Sequence, residues 1–177
     1  MNTLDAVLVW RALAEALGPA HGIDGGLLLA IIAQESAGRA TACRVERGFW
    51  RRYGAGVVAL VRRTVSRLDD RWLLYPDFVS ASYGLAQVMY PVALERRIAL
   101  RDPTDLCDPE TNLEACCRQL AYLLQRVDPQ MSLLPATPDR VLRSVLQRYN
   151  GGGNPDYAQR VLDWRAAIAE RLSVTRT

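Results

Sequence analysis

The sequence predicts a mainly α fold of short helices with at most a small irregular β element. Three observations carry that expectation. Apolar residues recur with a period near 3.6 in successive segments, and proline, glycine and aspartate punctuate those segments at capping positions. No run alternates as a strand should, which leaves room only for short irregular strands between residues 40 and 90.

The elements follow in order. Leu4, Val7, Leu8, Leu13 and Leu17 mark one helix face over 4–17, stopped by Gly18-Pro19. Asp24 can cap a helix running to about Ser36, and the stretch Leu27-Leu28-Leu29-Ala30-Ile31-Ile32-Ala33 is apolar all round, as a central buried helix should be. An arginine- and aromatic-rich loop over 37–53 precedes a further helix face of Val57, Val58, Val61, Val65 and Leu68. Pro91 opens a helix to about Leu100. Asp108-Pro109-Glu110 combines an N-cap, a proline at the first helical position and an early acid, the clearest helix start in the chain. Its seam is Leu113, Cys116, Cys117, Leu120, Ala121 and Leu124. Thr137-Pro138 starts the next helix, with Val141, Leu142, Val145, Leu146 and Tyr149 on one face, broken by Asn150 and Gly151–Gly153. Asn154-Pro155 begins the last, facing inward through Tyr157, Val161, Trp164, Ile168 and Leu172.

Composition bounds the chemistry. The 177 residues suit one domain, and a chain half hydrophobic with 23% charged residues can bury a core. All 22 basic residues are arginine, so Schiff-base, P-loop and serine–lysine chemistries are excluded. A single histidine, His21, excludes multi-histidine metal sites; it reads as a surface or capping residue. The four cysteines form no CxxC pattern; Cys116 and Cys117 read as small core residues, and a Cys107 bridge to either would be strained along one helix. Neither a metal nor a cofactor is expected. No segment approaches a membrane span, and the first residues lack the basic start of a secretory signal. A net charge of +3 is modest for a nucleic-acid binder, although Arg44, Arg47, Arg51 and Arg52 interleave with Phe49, Trp50 and Tyr53.

Three features invite a functional reading. Glu35 lies near the C-terminus of the most apolar helix, where burial and the negative end of the helix dipole both disfavour its charge, as a general acid requires. Its other reading is a surface carboxylate where the helix emerges. Ser82-Tyr83-Gly84-Leu85-Ala86-Gln87 places a glycine and an amide in an apolar run, suiting close backbone approach and an amide aimed at a ligand, or a turn into a helix. Tyr149 ends an apolar seam before Asn150-Gly151-Gly152, as a site tyrosine or as a core tyrosine with a glycine-rich cap.

Taken together, Gln34-Glu35-Ser36, then Ser82-x-Gly84-x-x-Gln87, then Tyr149-Asn150-Gly151-Gly152 resemble, in order and spacing, the lytic transglycosylases of the soluble-transglycosylase (SLT) type. The segment from Leu106-Cys107-Asp108-Pro109 to Leu120 is similar to the helix that family places between its second and last motifs. The arginine-rich stretch 44–50 is similar to phage-encoded members. The resemblance spans about residues 22–165.

It implies a lysozyme-like fold, one catalytic domain over 1–177, cleaving the MurNAc–GlcNAc β-1,4 bond of peptidoglycan strands. Glu35 takes the place of the single catalytic acid/base. Tyr149 matches the tyrosine contacting that carboxylate or the reacting sugar, and Asn150 and Gly151 hold its turn. Ser82, Gly84 and Gln87 match the substrate motif, and Tyr157 lies where a further cleft tyrosine occurs. Two departures are Ala86, where methionine is usual, and Arg148, where alanine is. A single carboxylate suffices if the sugar's own C6 hydroxyl attacks C1 to give a 1,6-anhydro product. Glu46, Asp69, Asp70 and Asp77 are the positional candidates for a second one, as a retaining or inverting hydrolase needs.

Two rivals stand beside this: a goose-type lysozyme using water, and a non-catalytic virion or cell-wall glycan-binding component. The expected protein is a monomer that neither binds nucleic acid nor inserts in a membrane. It would be made in the cytoplasm and reach the wall by holin-dependent phage lysis, in a virion, or by non-classical export.

Overall fold

A computed structural model describes residues 2–64 and 73–174. Val65, Leu68, Asp69 and Asp70, named above, lie outside the described residues. The chain divides into two compact units, Met1–Gly38 with Cys116–Thr177, and Arg39–Ala115. Mainly α with a small sheet is the architecture observed, as the sequence predicts.

The first unit holds α1 (Thr3–Leu8), α2 (Arg11–Ala20), α3 (Gly25–Ser36), the C-terminal part of α7 (Pro109–Gln125), α8 (Asp139–Tyr149) and α9 (Tyr157–Val174). Its centre is α3. Asp24 caps it by accepting from the Gly26 amide at 3.3 Å. Leu27 through Ala33 are all buried, each leucine or isoleucine contributing about 1.5–3 kcal/mol relative to exposure. Gly25 lets α3 approach the α2 backbone, since a Cβ there would sit 3.2–3.3 Å from Ala14 and Glu15 main-chain atoms. Two polar ties run between α3 and α9. Arg165 grips Asp24 at 2.8 Å at the start of α3, and Tyr157 meets Glu35 near its end. As α3 advances, its partners on α9 retreat, so the two helices are antiparallel.

The expected single helix over 4–17 is instead two. The chain turns at Val9-Trp10, where the Trp10 indole N–H donates to the Gly38 carbonyl at 2.9 Å. That distant acceptor overrides a continuous amphipathic pattern. Pro19 does not stop α2 either, which continues to Ala20 with His21 at its C-cap. Cys116 and Cys117 are fully buried, and all four cysteines are thiols.

The second unit holds a three-stranded antiparallel sheet, β1 (Cys43–Val45), β2 (Ala81–Tyr83) and β3 (Val88–Met89), in the order β1-β2-β3. Cys43 pairs with Tyr83, and Tyr83 with Val88. Around it lie α4 (Phe49–Thr64), α5 (Pro76–Val79), α6 (Tyr90–Glu95), a 3-10 turn at Pro103–Cys107 and the start of α7. α4 begins at Phe49, so 49–53 is helix and not loop. α6 ends at Glu95, short of Leu100, and Arg97 follows with φ at +60°. Tyr90 is fully buried, its phenol pushed up to about 12 by burial and then by Asp102 and Asp105; its hydroxyl has no hydrogen-bond partner among the described residues.

Candidate active site

Glu35 lies in the last turn of α3, half-buried, followed by Ala37 in the left-handed region at φ +53°. The Tyr157 hydroxyl donates to its Oε1 at 2.6 Å. Tyr157 opens α9 and is 2% exposed, so the ring is locked by packing and the carboxylate takes its orientation from that ring. A donor to a carboxylate in a low-dielectric setting makes a short, charge-assisted bond.

Tyr149 ends α8 beside this pair. Its hydroxyl donates to the Cys116 Sγ on α7 at 3.4 Å. Burial is the main cause that holds the Tyr149 phenol well above its ordinary value, followed by the Cys116, Tyr157 and Glu35 charges. Burial likewise pushes the Cys116 thiol up to about 12; the Tyr149 hydrogen bond opposes this and the Glu35 charge adds to it. Both groups therefore stay protonated and neutral around Glu35 at neutral pH.

The turn after Tyr149 is built as a helix cap. The Asn150 N–H reaches the Leu146 and Arg148 carbonyls, and its amide donates to the Asn154 carbonyl at 3.4 Å. Gly151 and Gly152 take φ of +70° and +78°, and the Gly152 N–H closes back on the Gln147 carbonyl at 3.1 Å. Arg148 is exposed. Of the residues singled out by sequence, this unit thus gathers Glu35, Tyr149, Asn150, Gly151 and Tyr157.

Ser82, Gly84 and Gln87 belong to the second unit, where they form a knot of their own. Ser82 is buried on β2, and its hydroxyl donates to Glu46 Oε1 at 3.1 Å. Glu46 also holds Arg44 at 2.8 Å, while Asp77 is exposed. Gly84 sits at φ +74°, and a Cβ there would collide with the Leu106 carbonyl and the Asn112 amide. Gln87, at φ +50°, donates from its amide to the Ala42 and Gly84 carbonyls, both at 3.0 Å. Its nitrogen thus holds the loop closed.

Sequence reasoning missed Asn112, the hub of this knot. It is fully buried on α7, donates to the Tyr83 and Leu106 carbonyls, each at 2.8 Å, and accepts from the Ala86 amide at 2.8 Å. A polar residue four positions before Cys116, on the buried side of that seam, was the available signal. Ala86 is fully buried, its backbone engaged by Asn112, so its small side chain packs inside the knot.

The Transglycosylase SLT domain family matches residues 13–163. The chain belongs to this family. The SLT match takes in Glu35, the Ser82–Gln87 knot, Asn112 and the Tyr149–Tyr157 segment. No curated protein and no solved structure matches the chain. As an SLT domain the protein is a lytic transglycosylase acting on peptidoglycan. Among the described residues, no helix is long and apolar enough to cross a membrane.

Proposed function

We propose that this SLT domain cleaves the MurNAc–GlcNAc β-1,4 bond with Glu35 as its one acid/base and releases a 1,6-anhydroMurNAc end. The observation that supports this most is the Tyr157 hydroxyl on Glu35 Oε1 at 2.6 Å, which orients a carboxyl in the last turn of α3, just after the buried run from Leu27 to Ala33.

In the first half of the reaction the Glu35 carboxyl gives its proton to the glycosidic oxygen while the bond from C1 to that oxygen breaks. GlcNAc leaves with a new hydroxyl, and C1 carries oxocarbenium character. In the second half the C6 hydroxyl of the same sugar attacks C1 and passes its proton to the Glu35 carboxylate. The acid is regenerated, and no water is consumed. An internal nucleophile brings a high effective concentration, the benefit a second carboxylate gives by activating water.

In this reading Tyr157 holds the Glu35 carboxyl, and Tyr149 presents a neutral hydroxyl beside it. Asn150 and Gly151 set the turn that places Tyr149. Ser82, Gly84 and Gln87 keep the glycan-contacting segment in shape. The wall is the place of action.

The test is digestion of purified sacculi with wild type and Glu35→Gln, reading muropeptide masses. Anhydro ends, lighter by one water than hydrolysed ends, and their loss in Glu35→Gln are expected. Hydrolysed ends from wild type would make the protein a goose-type hydrolase. Unchanged digestion by Glu35→Gln would remove Glu35 from the chemistry, and no digestion by wild type would leave a glycan-binding component.

A further inference from the structure

The exposed face of α4 carries two arginine pairs, Arg51-Arg52 and Arg62-Arg63, which the sequence separates by eleven positions. Eleven residues make three helical turns to within about 20°, so the pairs lie one above the other, roughly 16 Å apart along the axis. All four side chains are exposed, as are Ala55, Gly56 and Ala59 between them. The opposite face buries Gly54, Val57, Leu60 and Val61 in its own unit. α4 contains no acidic residue, and among the described residues none of the four has an ion-pair partner. Within each pair the adjacent like charges repel, and an anionic chain laid along the face removes that repulsion at both.

We propose that this face docks a phosphodiester polymer of the cell wall, of the poly(glycerol phosphate), teichoic-acid class. Guanidinium groups match phosphate oxygens with two parallel hydrogen bonds each. Two pairs about 16 Å apart call for a chain of anions, since one small anion reaches only one pair. The choice of a wall polymer rests on the peptidoglycan substrate of the SLT family and not on the role given to Glu35. Nucleic acid is the less favoured polyanion. Tyr53, an exposed ring of α4, already packs against Phe49 at 5.0 Å and the Arg52 guanidinium at 5.3 Å, contacts that a stacking base would have to displace.

Binding of the full chain to purified poly(glycerol phosphate), measured between 50 and 200 mM salt, tests this independently of cleavage. Four engaged arginines give a slope of log K on log salt of about −3, an affinity loss of about 50-fold over that range. Arg62→Gln/Arg63→Gln, and separately Arg51→Gln/Arg52→Gln, should halve the slope and cut the loss to about 7-fold. Arg140→Gln/Arg160→Gln lowers net charge equally from exposed sites on other helices and should leave the slope unchanged. The proposal is overturned if the α4 pairs behave as wild type or if the Arg140/Arg160 control flattens the slope as much. Equally tight binding of oligo(dT) with the same number of phosphates overturns it too.

Discussion

Tyr157 donates a 2.6 Å hydrogen bond to Oε1 of Glu35 across 122 positions of sequence. The bond joins the first residue of α9 to the last turn of α3, and the Arg165–Asp24 pair at 2.8 Å pins the other end of the same helix contact. The Glu35 carboxyl therefore sits on a frame braced at both ends.

Tyr157→Phe removes the hydroxyl and keeps the buried ring. A hydrogen bond to a charged group contributes about 1.5–3 kcal/mol, so kcat should fall roughly 10- to 100-fold with little change in KM. Turnover of a soluble glycan and a thermal melt separate the two effects. A large drop in Tm with normal kcat would make Tyr157 a core residue alone.

Tyr149→Phe should cost less, about 3- to 10-fold in kcat, because the hydroxyl contact with Cys116 is a weak one at 3.4 Å. Single-turnover rates of both tyrosine variants give the order. Tyr149→Phe slower than Tyr157→Phe would reverse the roles assigned to them.

Cys116 predicts an alkaline weakness. Its thiol is held protonated in the fold up to about 12, against 9.0 ordinarily. Between those values the unfolded chain has lost a proton that the native state keeps, so stability falls as pH rises, by at most about 1.4 kcal/mol per pH unit. Cys116→Ala lacks the group. Wild type should lose its advantage over this variant between pH 9 and 11 in urea melts, and a constant gap would refute a protonated thiol.

The Asn112 knot predicts steep local sensitivity. Asn112→Leu strands the Tyr83 and Leu106 carbonyls and the Ala86 amide, each worth about 1–3 kcal/mol when buried without a partner. Gly84→Ala meets backbone as well as Asn112 and should be worse, whereas Gly48→Ala, with open space around it, should be neutral. Denaturant midpoints rank the three, and a Gly84→Ala variant as stable as Gly48→Ala would contradict the packing.

Tyr90→Phe runs the other way. Removing a buried hydroxyl that has no partner among the described residues should leave stability unchanged or raise it by about 1 kcal/mol. A clear fall in Tm would reveal a bound water or another partner at that oxygen.

Much of this was legible in local sequence. Asp24 and the apolar run after it place α3, Asp108-Pro109 places α7 at its true start, and the Val141–Leu146 face places α8. These signals lie within one or two turns of the residues they describe. The break at Trp10 was invisible because its cause, the Gly38 carbonyl, lies 28 residues away. The early start of α4 was hidden because bulky aromatics and arginines read equally well as loop. Glu35 stood out by its context, and Tyr157 by its place on the inward face of the last helix and as a cleft residue of the family. That the two touch depends on how α3 and α9 pack, which no window of sequence contains.

The Glu35–Tyr157 contact also orders events in time. Synthesis from the N-terminus finishes α3 with most of the chain still to come, and the hydroxyl that holds Glu35 arrives only with α9. A ribosome-bound chain carries the carboxyl long before it carries the hydroxyl that holds it. A fragment that stops short of residue 157 therefore keeps the carboxylate and loses its bearing.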